Sequence, residues 1–246
     1  MKKTVIGIHS GRKGKVSEES LTYLLEHTGI EYRLIALRDV KLETCDACLG
    51  CLTTHRCVKD DGVNEIVDAL TQASAVVFAA PEYWDGVHGK ARAFWERVCF
   101  MGRHNESFPL RHLYGVILGI SGHGDASAAI RDLSAFFEDA RITIVDTVDI
   151  QGTYACFKCG FGPVCEVAGL WDIYHRDTEI EKMSGALTEA DSESKKKDSK
   201  GVSPHTFQAP SLSTQDPHLC KKERRPDVFQ RLDSAAAALK KKKLSG

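Results

Sequence analysis

The sequence predicts an α/β fold: a five-stranded parallel sheet with helices on both faces, followed by a polar C-terminal tail. Three observations predict it. Short β-rich runs alternate with stretches of helical apolar spacing from Thr4 to Ile150, the pattern of repeated strand–helix–strand units. One run, Ala75–Ala80, is apolar without a break, as a central strand covered on both sides must be. The composition is globular, with 246 residues, 42% hydrophobic and 27% charged, enough to bury a core without staples.

Taken in order, Thr4–Ile8 is the first strand and Ser17–His27 the first helix. Ser17 is placed to cap that helix, with Glu18 and Glu19 in the first turn, where the macrodipole favours negative charge. Tyr32–Leu37 is the second strand, Val63–Leu70 a helix, Ala75–Ala80 the third strand and Gly89–Met101 a helix. Tyr114–Ile120 is a fourth, buried strand, Ala126–Ala140 a helix that Asp125 is placed to cap, and Ile142–Ile150 the fifth strand. Right-handed crossovers then put the loops that follow the strands on one sheet edge, where ligands bind in such folds.

Charge divides the chain near residue 183. Residues 184–246 carry 13 basic and 8 acidic side chains, leaving 20 basic and 26 acidic in 1–183. The expected organisation is a ligand-binding domain over 1–183 and a mobile basic tail over 184–246, with Asp227–Lys243 as a terminal helix. No stretch reaches the roughly 20 apolar residues of a membrane span. The apolar run after Met1 is too short for a signal peptide. The cytoplasm is the expected compartment, and nine cysteines there point to metal or redox chemistry before disulfides. Basic runs without a groove-reading motif give no reason to expect nucleic acid.

Three loops on the expected edge carry ligand-type residues. Ser10-Gly11-Arg12-Lys13-Gly14-Lys15-Val16-Ser17 joins strand to helix. It offers backbone amides, hydroxyls and a guanidinium suited to a phosphate, although a solvated basic turn reads the same way. It lacks the ending of a Walker loop. Pro81-Glu82-Tyr83-Trp84-Asp85-Gly86-Val87-His88-Gly89 brings two aromatics and two glycines to a strand end, either to line a flat ligand or simply to pack over the sheet. Ser121-Gly122-His123-Gly124 is a tight polar turn whose histidine is placed to meet a ligand carbonyl or solvent.

Two cysteine groups lie in further loops. Cys45-x2-Cys48-x2-Cys51-x5-Cys57 lets one stretch of backbone wrap an inorganic core. The two-residue gaps favour a [4Fe–4S] cluster, with zinc or no metal as the alternatives. Cys156-x2-Cys159-x5-Cys165 offers three thiols, one short of the usual four. Its readings are a second iron–sulfur cluster, zinc or no metal, with Cys220, His175 or another subunit completing the set.

Ser10-x-Arg12 with Ser17, then Pro81-x-Tyr83-Trp84-x-Gly86 and Lys90-Ala91-x-Ala93-Phe94, resemble the NAD(P)H-dependent FMN reductase and flavodoxin-like superfamily over Met1–Gly152. The departures are Gly11 where relatives usually carry Pro, Val16 where they carry Asn, and a less glycine-rich third loop. The resemblance implies a flavodoxin-like sheet of order 2-1-3-4-5 and FMN as cofactor. Ser10, Arg12 and Ser17 would hold its phosphate. Pro81, Glu82, Tyr83, Trp84, Gly86 and Val87 would flank the isoalloxazine, and Ser121, Gly122, His123 and Gly124 would close its other side. With Cys45, Cys48, Cys51 and Cys57 all present, the chain is similar to the iron–sulfur flavoproteins of anaerobic archaea and bacteria. That similarity implies one FMN and one [4Fe–4S] per subunit in a homo-oligomer, a dimer or tetramer.

The expected function is an FMN-dependent electron-transfer oxidoreductase that couples one- and two-electron transfers. Its redox partner is NAD(P)H or a ferredoxin, with a small-molecule acceptor as a further option. No side chain is assigned as a catalytic acid or base, because the protein's task is to hold cofactors and tune them. The alternatives are a cluster-free NAD(P)H-dependent flavin or quinone reductase and, from another class, a zinc-binding or thiol redox-sensing interaction module.

Overall fold

The computed structural model describes residues 3–103, 109–122, 125–152 and 226–242. Among them run strands β1 (Thr4–His9), β2 (Glu31–Ala36), β3 (Ala75–Pro81), β4 (Tyr114–Ser121) and β5 (Thr143–Gln151). The helices are α1 (Val16–Thr28), α2 (Val63–Gln72), α3 (Gly89–Arg103), α4 (Ser127–Asp139) and α5 (Pro226–Lys241), with a single 3₁₀ turn at Leu37–Asp39. The strands pair in the order β2-β1-β3-β4-β5, every pair parallel. This is the flavodoxin-like order that the sequence predicts. One irregularity interrupts the β4–β5 ladder, between Gly115 and Val116.

Strand periodicity sorts the core into two layers. In β3, Val76, Phe78 and Ala80 enter the layer under α2, α3 and α4, while Ala75, Val77 and Ala79 enter the layer under α1 and α5. The first layer centres on Trp95, whose ring meets Phe78, Phe94 and Phe137 at centroid distances of 5.5, 5.3 and 4.9 Å. In the second layer, Val228, Phe229, Leu232, Ala235, Ala236 and Leu239 of α5 recur on one helical face and are buried. Tyr23 donates to Asp233 at 2.9 Å and meets the Phe229 ring edge-on at 4.6 Å. Arg231 bonds the Asp149 carbonyl at 3.0 Å. Each large apolar side chain buried this way contributes about 1.5–3 kcal/mol, and this burial docks α5 on the sheet. It is the described part of the segment 184–246.

Two expected caps are placed differently. Helix α1 begins at Val16 with Lys15 as its N-cap and no side-chain cap. Ser17 therefore lies inside the first turn, buried. Helix α4 begins at Ser127 with Ala126 as N-cap, and Asp125, one residue earlier, accepts from the Ser127 amide at 3.0 Å. The second strand ends at Ala36 rather than Leu37, because Leu37 turns its buried side chain inward through the 3₁₀ turn.

Candidate cofactor-binding site

The β1–α1 loop leaves the sheet edge with Ser10 still bonded to β3, its amide donating to the Ala79 carbonyl at 3.1 Å. Ser10 is buried and its hydroxyl has no partner; the same holds for both ring nitrogens of buried His9. Burial pushes the His9 pKa below the usual histidine value, outweighing the pull of Glu18 and Asp39. Gly11 passes so close to α1 that a Cβ there would lie 2.4 Å from the Ser17 Oγ, so only glycine fits. Arg12 is exposed. Gly14, in the left-handed region at φ 61°, donates its amide to the Glu18 carboxylate at 2.6 Å. An orphaned buried hydroxyl beside a helix start without a side-chain cap is a cradle that an anion completes.

The loop after β3 is a tight hairpin turn. Tyr83 and Gly86 bond across it, amide to carbonyl at 2.9 Å, and Glu82 bridges Val87. Trp84 and Asp85 both take left-handed backbone, φ 55° and 54°, the pair a type I′ turn needs and one that bulky residues adopt at a cost. The Trp84 side chain is 101% exposed and Tyr83 half-exposed, while Tyr83 meets the His88 ring edge-on at 4.9 Å. Pro81 and Val87 are buried. Asp132 on α4 pins the turn from below. It accepts from the Val87 amide at 3.0 Å and pairs with Arg92 at 2.6 Å and Arg131 at 3.2 Å. Burial would raise the Asp132 pKa, but these donors hold it below the usual carboxylate value.

Glu82 does different work from its neighbours. Its carboxylate accepts from the Ala128 and Ala129 amides at 3.0 and 3.1 Å. Asp149 takes the Ala126 amide at 3.0 Å and Asp125 that of Ser127. Three carboxylates thus satisfy the four exposed amides at the start of α4 and fix where the β4–α4 loop leaves and returns. In that loop Ser121 is buried and its carbonyl accepts from the Gly152 amide at 2.5 Å. Gly122 follows it. His123 and Gly124 lie outside the described residues, as do Cys156, Cys159 and Cys165.

The loop between the 3₁₀ turn and α2 brings Cys45, Cys48, Cys51 and Cys57 to the lining of one cavity, with Arg97 and Met101 of α3 forming its inner wall. All four thiols are free. Ala47, Leu49 and His55 take left-handed backbone at φ 51°, 60° and 54°, a region that residues other than glycine seldom adopt. Burial raises the Cys51 thiol pKa, and the Cys57, Cys45 and Cys48 thiols add to the rise. Among the described residues, no three His, Cys, Asp or Glu side chains gather closely enough to hold a single metal ion. Cys57 is fixed by a reciprocal pair with Asn64, 3.0 and 2.9 Å.

Sequence reasoning passed over Asp132, Asp61 and Arg97, and took Lys90 only as part of the family motif. Lys90, at the start of α3, donates to the carbonyls of Leu37, Arg38 and Val40 at 3.2, 3.3 and 3.5 Å. Arg97 is 1% exposed and pairs with Asp61, whose side chain is fully buried. The signal for Arg97 is a charge set on the apolar stripe of α3, between Phe94, Val98 and Met101; such a charge needs a buried partner.

The sheet order and the loops gathered at the C-terminal ends of β1, β3 and β4 define an α/β protein of the flavodoxin-like class. The model of the NADPH-dependent FMN reductase family matches residues 1–152; the chain belongs to that family, and with it to the flavin-dependent oxidoreductases. It is similar to an iron–sulfur flavoprotein of Methanosarcina thermophila, 28% identical over 116 residues, 46% of this chain and 60% of that one. It is also similar to an iron–sulfur flavoprotein of Methanocaldococcus jannaschii, 27% identical over 166 residues, 65% of this chain and 84% of that one. The chain thus spans about three-fifths of the Methanosarcina protein's length. A solved flavodoxin of Streptococcus pneumonia TIGR4 matches 62% of this chain and 87% of its own at 12% identity, with a TM-score of 0.42. Among the described residues, no helix is long and apolar enough to cross a membrane.

Proposed function

We propose that this chain is an FMN-dependent electron-transfer oxidoreductase whose Cys45, Cys48, Cys51 and Cys57 hold a [4Fe–4S] cluster. The observation that carries the reading is four free thiols of one loop lining one cavity, on the sheet edge that also presents the flavin-type loops. Four thiolates are the donor set such a cluster takes. The two iron–sulfur flavoproteins to which the chain is similar support the same reading. A bound flavin takes up two electrons together and releases them singly, whereas a cluster passes one at a time.

The chain's residues divide the work. Ser10, Arg12 and Ser17, with the start of α1, bind the phosphate. Tyr83, Trp84 and Gly86 flank the ring, with Pro81 and Val87 as buried supports. Ser121 and Gly122 close its other side. Glu82 acts indirectly, by fixing α4. NAD(P)H or a ferredoxin is the redox partner, and the working form is a homo-oligomer. Cys156, Cys159 and Cys165 keep three readings, a second cluster, zinc or no metal, which the metal content separates.

The test is anaerobic purification with FMN, iron, sulfide and zinc measured per protomer. About four irons with one FMN is the expected result, and about eight would add a cluster at Cys156–Cys165. FMN without iron would favour a second reading, the cluster-free flavin or quinone reductase. That reading draws on the spread of the thiols, which gather no single-ion site. Zinc without flavin would overturn both.

A further inference from the structure

The floor of the cysteine cavity contains a charge that the proposed electron-transfer role leaves unused. Arg97 stands on α3, 1% exposed, and one of its terminal nitrogens is committed to Asp61 and to the Glu43 carbonyl. Its Nε and its other terminal nitrogen are buried with no hydrogen-bond partner. Buried N–H groups of a guanidinium left unpaired cost free energy. The wall they share is lined by Cys45, Cys48, Cys51 and Cys57. Burial would lower the guanidinium's pKa, but Asp61 and the Cys57 thiol hold it above the usual arginine value.

We infer that Arg97 is a positioning residue for the cluster, whose unpaired Nε and second terminal nitrogen turn their N–H groups onto the sulfur of Cys57 and hold the cluster's reduction potential up. This rests on the cluster reading above. The physical argument is one of charge and donors. Reduction adds an electron to a core that four thiolates already make negative. N–H donors and a nearby positive charge favour the reduced form, and hydrogen bonding to the sulfurs is one of the terms that set such potentials. Asp61 neutralises the guanidinium from the far side and fixes its plane. It thereby leaves the remaining two nitrogens directed at the cavity rather than at solvent. Lysine cannot replace this function, since one ammonium cannot hold Asp61 and present a second fork of donors.

The test uses anaerobic full-length protein and two variants, R97K and R97Q/D61N. The first keeps the ion pair with Asp61. The second removes both charges together, so that neither is left buried alone. Iron and sulfide content establish loading, and a potentiometric titration monitored by EPR gives the cluster potential. The flavin potential of the same sample serves as internal reference. The expected result is a loaded cluster whose oxidised-to-reduced ratio, at the wild-type midpoint, rises at least about tenfold, about 59 mV for one electron, with the flavin couple unmoved. A loaded variant with an unchanged cluster potential overturns the assignment. So does an equal shift of both cofactors, which would report a general structural change. Loss of iron from both variants with native circular dichroism would reduce Arg97 to a loop support and also overturn it. Wild-type protein that takes up no iron overturns the cluster reading itself.

Discussion

Replacing Asp132 with alanine tests whether the aromatic turn after β3 is held open for a ligand from beneath. The carboxylate accepts the Val87 amide at 3.0 Å and pairs with Arg92 and Arg131. Arg131 in turn reaches the Asp85 carbonyl at 3.3 Å. The amide bond to a charged acceptor contributes about 1.5–3 kcal/mol. The two arginines are largely exposed, 47% and 68%, so each pair adds at most about 0.5 kcal/mol. The sum is about 1.5–4 kcal/mol. Trp84 and Asp85 hold left-handed backbone only while their surroundings impose it, so the lost restraint is felt at this turn. If about 2 kcal/mol must be recovered when FMN binds, affinity falls about 30-fold, read by quenching of flavin fluorescence on titration into apoprotein. The melting temperature of the apoprotein falls by about 4–10 °C. The pH dependence has a fixed sign. The Asp132 pKa is lowered in the folded protein, so its contribution is complete above the unfolded value of about 3.9. That contribution is lost as pH falls through the lower folded value. The difference between wild type and variant is therefore flat above about pH 4 and shrinks below it. A variant that binds FMN within about twofold of wild type, a difference of only about 0.4 kcal/mol, would refute the argument that this turn is pinned for the ligand.

Three further outcomes follow from single residues. Ser10→Ala removes a buried hydroxyl that has no partner in the free protein, so apoprotein stability in urea stays level or rises by up to about 1 kcal/mol. FMN affinity falls in the same variant, and a fall in both quantities contradicts the phosphate role. Leu232→Ala in α5 costs about 2–5 kcal/mol in chemical denaturation, because Leu232 is fully buried against α1 and the sheet; a change under about 1 kcal/mol, as for a surface site, would mean that the helix is not docked. Glu82→Ala leaves the Ala128 and Ala129 amides without their acceptor and costs about 1–2 kcal/mol as a lost helix cap, seen as a lower melting temperature.

The sheet was legible because periodicity carries it. A run such as Ala75–Ala80 has no polar residue to place on a surface, so it belongs in the middle of the sheet, and its two faces then divide the core. Helix ends were legible to within a residue or two, and caps less so. Ser17 has the chemistry of a cap, but the close passage of Gly11 draws it into the first turn. The α4 start recruits Glu82 and Asp149 from 46 and 23 residues away, and no local rule points to partners so distant. The four cysteines were legible from spacing alone, but the cavity wall was not. Arg97 shows in the sequence only as a misfit on an apolar stripe, and Asp61 only as one acid among many in a polar loop.

The long loop from Val40 to Gly62 has no regular secondary structure, and chains of that length usually wander. This one is closed at its neck. Gly62 donates to the Lys41 carbonyl at 3.2 Å, and the Glu43 amide donates to Asp61 at 3.1 Å. Arg56 forks onto Asp68 of α2 at 2.7 and 3.1 Å. The other two anchors stand on α3. Lys90 holds the carbonyls that enter the loop and Arg97 holds the Asp61 that leaves it. They lie seven residues apart, two turns of one helical face and about 10 Å along the axis. That helix begins directly after the aromatic turn at Tyr83–Gly86. A change in the turn therefore moves α3 before it moves the loop, and the distance between flavin loops and thiols is set by a rigid element rather than by the loops themselves. If the loops hold their ligands as proposed, one helix fixes how far apart those ligands stand.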